Sequence, residues 1–228
     1  ERHTHDVATI ALVGYTNAGK TSLLQALTHT EVLAKDQLFT TLDPMARRLS
    51  LPTKQSVVVT DTVGFLHRLP HHLIEAFQAT LEEVHDASLL LHVVDASHHL
   101  REHQMASVGE VLKDLDVADK PKIALLNKSD LLTLDQRRNL QIEMPDALFC
   151  SAKNGDGLDL LIDRLVQEMS SRLTEIELFL PQTAQKWVHQ IYEEGRVLRR
   201  EDGDGGVYLT VSIPHHLRGA LEKAGFIA

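Results

Sequence analysis

Apolar runs and helical patterns alternate along residues 1–173. Short β-rich apolar runs predict strands, and segments with apolar residues at helical spacing predict helices. The predicted strands lie at about 8–13, 47–52, 57–62, 88–95, 122–127 and 146–151, and the helices near 20–29, 70–85, 99–117, 134–142 and 157–173. Strands that alternate with helices across short links favour an α/β fold, in which a mainly parallel sheet is covered on both faces and ligand loops follow the strands.

The pattern changes after Arg172, where a shorter unit with a hairpin is predicted. Its expected elements are a strand at 176–180, a helix at 182–194, strands at 196–200 and 207–211 joined by a turn at 202–206, and a helix at 214–224. This βαββα order is typical of a small α+β domain. We therefore expect two domains, at residues 1–173 and 174–228.

The first predicted strand leads into a complete G-x-x-x-x-G-K-[ST] motif at 14–21 and then into a helix. This context predicts a phosphate-binding loop, because backbone N–H groups and a helix N-terminus converge there. Lys20 would reach the β- and γ-phosphates, and the Thr21 hydroxyl would bind Mg²⁺. The expected phosphate-side residues are Gly14, Thr16, Asn17, Ala18, Gly19, Lys20, Thr21 and Ser22.

The base of the nucleotide is indicated by Asn127-Lys128-Ser129-Asp130, which follows another apolar run. Asp130 can accept from the two adjacent donors of guanine, whereas adenine offers no such pair. We expect Asn127 to brace the loop and the Lys128 stem to cover the base. A third loop at Ser151-Ala152-Lys153 suits a backbone N–H from Ala152 to the guanine carbonyl. The predicted ligand is GTP or GDP.

Two segments between these loops are candidates for sensing Mg²⁺ and the γ-phosphate. Asp61 ends a strand and is expected beside Mg²⁺, and Gly64 would bring a backbone N–H near the γ-phosphate. The polar stretch from Thr30 to Asp43 is the natural first switch, where we favour Thr41 over Thr40 as the residue that closes over Mg²⁺. A plain surface loop is the alternative for this stretch.

One position departs from the Ras-like pattern. Phe65 stands where those enzymes have the glutamine that orients the attacking water. Hydrolysis is then slow until a partner acts, or another group completes the site. Asn17 could hold a monovalent cation against the phosphates; alternatively it is a loop residue that tolerates unusual dihedrals.

These motifs resemble those of the HflX family of translational GTPases. The resemblance rests on the phosphate loop at 14–20, the blocks at 36–44, 61–65, 69–77 and 92–97, and it covers about residues 8–173. It implies GTP hydrolysis with Mg²⁺, with Lys20, Asn17, Thr41 and Gly64 in catalytic roles and Thr21, Thr41 and Asp61 around the metal. It also implies that a small C-terminal domain follows.

The same resemblance implies further properties. HflX proteins are similar to the Era, Obg and TrmE group, in which an apolar residue replaces the catalytic glutamine and, in some members, an asparagine at the place of Asn17 binds K⁺. The family is implied to bind the large ribosomal subunit and to split or rescue stalled ribosomes. Its members carry an N-terminal domain before the GTPase domain, so the chain, which begins at Glu1, is expected to be a fragment.

The composition limits the classes of partner that the chain is expected to bind. The chain has 23 Lys and Arg against 32 Asp and Glu, a net charge of −9, so we expect no DNA partner, and ribosome binding would need local basic patches or a further domain. The single cysteine, Cys150, suits a reducing cytoplasm. No apolar run predicts a membrane span. Among 14 histidines, His99 and His103 could share a helix face, but no third ligand is nearby and no zinc spacing occurs.

Two alternatives to a GTPase that acts on ribosomes stay open. The first is a binding module that is gated by nucleotide and scarcely hydrolyses GTP. The second is a ribosome-assembly GTPase of the Era or Obg kind, which predicts RNA-domain appendages that the C-terminal segment does not show.

Overall fold

The computed structural model of the chain describes residues 8–28, 45–53, 55–62, 64, 82–170 and 173–227. These residues divide into two compact units, one built within residues 8–161 and the other from 162–227 together with residues of the 50–56 segment. Each unit has its own sheet. The first switch, Thr41 and Phe65 lie outside the described residues.

The larger sheet has six strands in the order β2-β3-β1-β4-β5-β6. Their bounds are β1 Thr9–Val13, β2 Met45–Ser50, β3 Ser56–Asp61, β4 Leu89–Asp95, β5 Lys122–Asn127 and β6 Leu148–Phe149. The pairs β1–β3, β1–β4, β4–β5 and β5–β6 are all parallel. The sheet is therefore mostly parallel, as the alternating pattern predicts, and the carboxyl ends of its central strands meet at one edge.

Three helices lie in the described part of this unit, α1 Lys20–Thr28, α2 Arg101–Asp114 and α3 Leu134–Glu143, besides the helical residues at 82–86. A further helix, α4 Leu158–Ser170, begins in this unit and continues into the second one. The consecutive residues Leu89, Leu90 and Leu91 of β4 are all fully buried. Because successive strand residues point to opposite faces, both faces of the sheet are covered there. The result is the layered α/β fold that the sequence predicts.

The second unit contains a three-stranded antiparallel sheet in the order β7-β9-β8. Its elements are β7 Leu173–Pro181, α5 Gln185–Glu194, β8 Arg196–Gly203, β9 Gly206–Pro214 and α6 His215–Lys223. Alternate residues of the sheet pack against the helices, and the core includes Leu180, Val211, Ile191 and Leu217, each fully buried. The predicted βαββα order is confirmed.

Several predicted boundaries need correction. The strand predicted at 146–151 is only Leu148–Phe149. After it, the N–H of Ser151 donates to the carbonyl of Asp156 at 2.9 Å and no longer to a neighbouring strand. The helix predicted at 99–117 is Arg101–Asp114, because Asp116 adopts a left-handed φ of 55° that a helix cannot continue through.

Other boundaries shift less. The strand predicted at 47–52 is Met45–Ser50, and the helix predicted at 182–194 begins with a 3₁₀ turn at Gln182–Ala184. The hairpin strands run further than predicted, because only Asp204 and Gly205 form its turn. Of the helix predicted at 70–85, the described part is helical at 82–86. Among the described residues, no helix has both the length and the apolar character needed to cross a bilayer.

Candidate functional site

The phosphate loop follows β1 and requires glycine at the two glycine positions of its motif for steric reasons. A Cβ on Gly14 would lie 2.3 Å from the carbonyl oxygen of Val93, and a Cβ on Gly19 would lie 2.3 Å from Nδ2 of Asn127. Gly19 also has a φ of 94°, which favours glycine. The loop is thus wrapped closely against β4 and the residue that ends β5.

Lys20 is the first residue of α1 and is buried within its own loop. Its ammonium group donates to the carbonyls of Gly14 at 3.1 Å and Tyr15 at 3.2 Å. Burial lowers the pKa of Lys20 to about 8, while the nearby charge of Asp61 acts in the opposite direction. A Cβ on Gly64 would lie 3.1 Å from the same ammonium nitrogen, so the Gly64 backbone lies beside Lys20.

The two described candidates for holding Mg²⁺ are in direct contact. The hydroxyl of Thr21 donates to Oδ2 of Asp61 at 2.6 Å, and Asp61 is fully buried at the end of β3. The next residue, Thr62, is fixed by a 2.6 Å hydrogen bond to the carbonyl of Leu12 on β1. A hydroxyl and a carboxylate at this spacing are hard oxygen ligands, so the residues fit Mg²⁺.

Asn127 joins the phosphate loop to the base loops. Its side-chain N–H donates to the carbonyl of Ala18 at 2.8 Å, and its side-chain oxygen accepts from the backbone N–H of Ala152 at 3.0 Å. Asn127 is only 2% exposed. The bracing role predicted for it is therefore present in the geometry, since one side chain connects three separate loops.

Asp130 and Ser151 form the adjoining pair. The buried hydroxyl of Ser151 donates to Oδ1 of Asp130 at 2.6 Å. This bond orients the carboxylate of Asp130, which is itself exposed toward solvent. The N–H of Ser129 donates to the carbonyl of Cys150 at 3.0 Å, so the two base loops are also joined through their backbones.

The side chain of Lys128 is held by Asp95, a residue outside the motifs that predict the site. Its ammonium group lies 2.7 Å from Oδ2 of Asp95, the last residue of β4. Burial tends to raise the pKa of Asp95, but hydrogen bonds from Lys128 and Ser97 outweigh it, so the pKa is lowered and the carboxylate is charged. The sequence predicts that Asp95 ends a strand, but the pairing of this strand with the one that ends at Asn127 is seen in the structure.

A pocket of about 180 Å³ opens between these loops. It is lined by Gly19, Ser22, Asn127, Lys128, Asp130, Leu131, Ser151, Ala152 and Lys153. All of these except Leu131 are predicted site residues, so the structure brings the phosphate and base candidates together. Asn17 is exposed with a left-handed φ of 61°, and Thr16 and Ala18 complete the loop beside it.

Cys150 lies behind this pocket. Its thiol is buried, and its sulfur is 3.6 Å from the side-chain oxygen of Asn127. Burial raises the pKa of the thiol to about 12, so it remains protonated near neutral pH. Cys150 is thus a buried residue in contact with Asn127, and burial disfavours its reactive thiolate form.

Comparison with known proteins agrees with this arrangement. Residues 9–128 match a family model described as a 50S ribosome-binding GTPase, and residues 139–224 match the HflX C-terminal domain. The GTPase HflX of Lacrimispora saccharolytica is 39% identical over 97% of the chain. The chain belongs to the HflX family of GTPases. The model of the HflX C-terminal domain begins within α3 and so also includes β6 and α4.

Two further relatives extend the comparison. The GTPase HflX of Escherichia coli is 38% identical over 92% of the chain and 50% of its own length. The chain thus spans about half the length of the curated HflX proteins it matches. Among solved structures, a GTP-binding protein from Sulfolobus solfataricus in complex with GDP is 28% identical, with a TM-score of 0.57, over 72% of this chain and 53% of its own.

Proposed function

We propose that the chain binds GTP and GDP together with Mg²⁺ and hydrolyses GTP to GDP and phosphate. The observation that carries this proposal is the Asn127 bridge. The buried Asn127 side chain donates to the Ala18 carbonyl and accepts from the Ala152 N–H, and so joins the phosphate loop and the third loop beside the pocket. We further propose residues 1–173 as the GTPase domain and residues 174–228 as the C-terminal domain.

The phosphate end of the pocket supports the assignment of Lys20. Its ammonium group lies among backbone carbonyls of its own loop, where a nucleotide's phosphate oxygens would offer stronger charged acceptors. We assign Gly14, Thr16, Ala18, Gly19 and Ser22 to the surrounding backbone cradle. Gly64, which lies beside Lys20, is assigned the N–H that contacts the γ-phosphate.

The metal assignment rests on Thr21 and Asp61, which are 2.6 Å apart through their oxygens. We propose that these residues hold Mg²⁺, with Thr41 closing over it from the first switch. Mg²⁺ at this position would neutralise charge on the β- and γ-phosphates. Asn17 is assigned a monovalent cation, preferably K⁺, because Phe65 cannot orient water and positive charge is still needed in the transition state.

The base end supports guanine. Ser151 orients the Asp130 carboxylate, which then accepts from the ring N–H and the amine of guanine. We assign the Ala152 N–H to the guanine carbonyl. Because this N–H also donates to the side-chain oxygen of Asn127, it would donate to both acceptors at once. The side chains of Lys128 and Lys153 line the pocket walls.

We also propose a ribosomal partner, the large subunit, and a cytoplasmic location. The support is membership of the HflX family and the description of the matched model as a 50S ribosome-binding GTPase. Splitting or rescue of stalled ribosomes is proposed for the longer proteins of the family. Whether residues 1–228 suffice for binding is decided by sedimentation of the chain with purified large subunits, with GDP and with a non-hydrolysable GTP analogue.

Titration with a fluorescent GDP derivative tests the nucleotide proposal. We expect saturable binding that GDP and GTP displace and ADP does not, and binding of GTP that weakens when Mg²⁺ is chelated. Equal displacement by ADP would contradict the guanine assignment.

A second candidate is a binding module that is gated by nucleotide and hardly hydrolyses it. The apolar Phe65 in place of the water-orienting glutamine favours this candidate. Single-turnover hydrolysis with and without large subunits separates the two. A rate that stays at the uncatalysed level in both conditions would favour the binding module.

A further inference from the structure

Asp95 occupies a defined place at the edge of the sheet where the pocket opens. It is the last residue of β4 and lies in register with Asn127, the last residue of β5. The N–H of the next residue, Ala96, donates to the carbonyl of Asn127 at 2.9 Å. Asp95 is 9% exposed. Backbone pairing of the two strand ends therefore fixes the position of the Asp95 Cα, from which the carboxylate side chain extends.

Both oxygens of the Asp95 carboxylate are engaged. Oδ1 accepts from the backbone N–H of Ser97 at 3.0 Å and from its hydroxyl at 2.6 Å. Oδ2 lies 2.7 Å from the ammonium nitrogen of Lys128. Because Ser97 holds one side of the carboxylate, the other side points in a fixed direction and anchors Lys128 there.

Lys128 contributes to the wall of the pocket and is constrained at both ends. Its backbone has a left-handed φ of 60°, and the preceding residue, Asn127, is fixed by two side-chain hydrogen bonds. Its ammonium group is held by Asp95, and 34% of its side chain is exposed. A lysine without such an anchor would distribute its four-carbon stem over many rotamers in water.

We propose that Asp95 is a positioning residue for the guanine base, an inference that rests on the guanine-nucleotide function proposed above. By holding the ammonium group, it keeps the methylene stem of Lys128 extended along the pocket wall, where the stem packs on the purine face. The contact uses the face of the base and not its hydrogen-bonding edge. Asp95 therefore raises affinity for purines without itself choosing guanine.

The positioning role of Asp95 predicts a specific pattern of changes in Kd. Asp95→Asn keeps an acceptor for Ser97 but loses the charge that anchors Lys128. We expect the Kd for GDP to rise about tenfold, as the freed stem must be ordered when the base binds. Inosine diphosphate lacks the exocyclic amine of guanine but has the same face, so its Kd should rise by the same factor. In steady-state hydrolysis the loss should appear in KM and not in kcat.

Two control variants separate positioning from a merely structural role. Glu143→Gln is the matched control, because it breaks another ion pair of the same unit, Arg101–Glu143. Neither of these two residues lines the pocket, so both Kd values should stay unchanged. Lys128→Met keeps an apolar stem that needs no anchor. Adding Asp95→Asn to Lys128→Met should therefore change the Kd for GDP by less than about twofold, since the two residues act through one interaction.

The outcomes are distinguishable. A parent chain that binds no GDP would overturn the proposed function. If the parent binds GDP but Asp95→Asn binds it equally well, the positioning role is wrong. The role is also wrong if Asp95→Asn weakens GDP alone and spares inosine diphosphate, or if it weakens binding as strongly in the Lys128→Met background, because Asp95 would then act on the base edge or on the fold.

Discussion

The base end and the phosphate end of the pocket are held together in different ways. At the base end, side chains from separate strand ends lock one another in place: Asn127 bonds the Ala18 carbonyl and the Ala152 N–H, Ser151 orients Asp130, and Asp95 holds Lys128. These bonds fix the positions of residues that line the pocket. The base end is preorganised, in the sense that binding need not break these contacts.

At the phosphate end, the charged groups are bonded to protein groups that a nucleotide and its metal would replace. Lys20 donates to two carbonyls of its own loop, and Thr21 donates to Asp61. We therefore expect binding to rearrange this end. Base-end substitutions should therefore act mainly on affinity, whereas phosphate-end substitutions should act on turnover as well.

The largest expected effect comes from Lys20→Ala. The change removes the positive charge beside the β- and γ-phosphates, so single-turnover hydrolysis should fall by about 10²- to 10³-fold, with a weaker affinity for GTP. The thermal melting temperature checks that the variant is still folded. An unfolded variant would show that Lys20 has a structural role, and a full hydrolysis rate would remove it from the catalytic site.

Asp130→Asn tests the base end. The variant presents an NH₂ group to the donors of guanine and loses a charge-assisted pair, which should weaken GTP by about 3 kcal/mol, or about a hundredfold. Xanthosine triphosphate has an extra carbonyl that accepts this NH₂, so its affinity should rise. Competitive titration of both nucleotides gives the two values. Unchanged GTP affinity would show that Asp130 does not contact the base.

The lowered pKa of Lys20 predicts a pH effect confined to the phosphate end. Above pH 8 the ammonium group loses its proton in the free protein, so binding of phosphates must take up a proton. The affinity for GDP should therefore fall by up to about tenfold per pH unit. Lys20→Ala is the control, since it retains any titration of the nucleotide itself. An equal slope in both proteins would contradict the assignment.

The lowered pKa of Lys20 also makes the free energy of unfolding depend on pH. Because the pKa in the folded state, about 8, is below the ordinary value of 10.5, the unfolded chain binds more protons between these values. Lys20 therefore destabilises the fold below pH 8, and this penalty decreases as the pH rises toward 10.5. Urea unfolding of the parent and Lys20→Ala across this range measures the difference.

The smallest expected effect concerns the monovalent cation. If Asn17 holds K⁺ against the phosphates, hydrolysis should be several-fold faster in KCl than in NaCl at equal ionic strength, because positive charge stabilises the transition state. Asn17→Ala should remove this difference and leave GDP affinity nearly unchanged. Basal rates that are independent of the cation, together with strong stimulation by large ribosomal subunits in either salt, would assign activation to the ribosome.

Local signals made the fold predictable, and long-range contacts set the details. The alternation of strands and helices, and the hairpin of the C-terminal unit, follow from hydrophobic period and turn residues. The strand predicted at 146–151 is shorter because the Ser151 N–H turns toward Asp156, a bond that the apolar run does not encode. The hairpin extends to Gly203 and Gly206 because cross-strand pairing with β9 continues past the apolar residues.

The site was predictable where a motif carries the chemistry. The phosphate loop and the base loops place Gly19, Asn127 and Ala152 together as expected. Asp95 is not predicted from the sequence because its contact with Lys128 depends on the register of two neighbouring strands, which a single sequence does not give. The hydrogen bond from Ser151 to Asp130 also joins residues that are distant along the chain, so the sequence does not predict it.

Single-turnover hydrolysis of xanthosine triphosphate by Asp130→Asn tests the contrast between the two ends most directly. Xanthosine triphosphate should restore base binding in this variant, and the phosphate end is unaltered. The variant should therefore hydrolyse xanthosine triphosphate at close to the rate at which the parent hydrolyses GTP. Lys20→Ala, saturated with GTP, should remain slow. If Asp130→Asn binds xanthosine triphosphate but hydrolyses it as slowly as Lys20→Ala hydrolyses GTP, base recognition and hydrolysis are not separable between the two ends of the pocket.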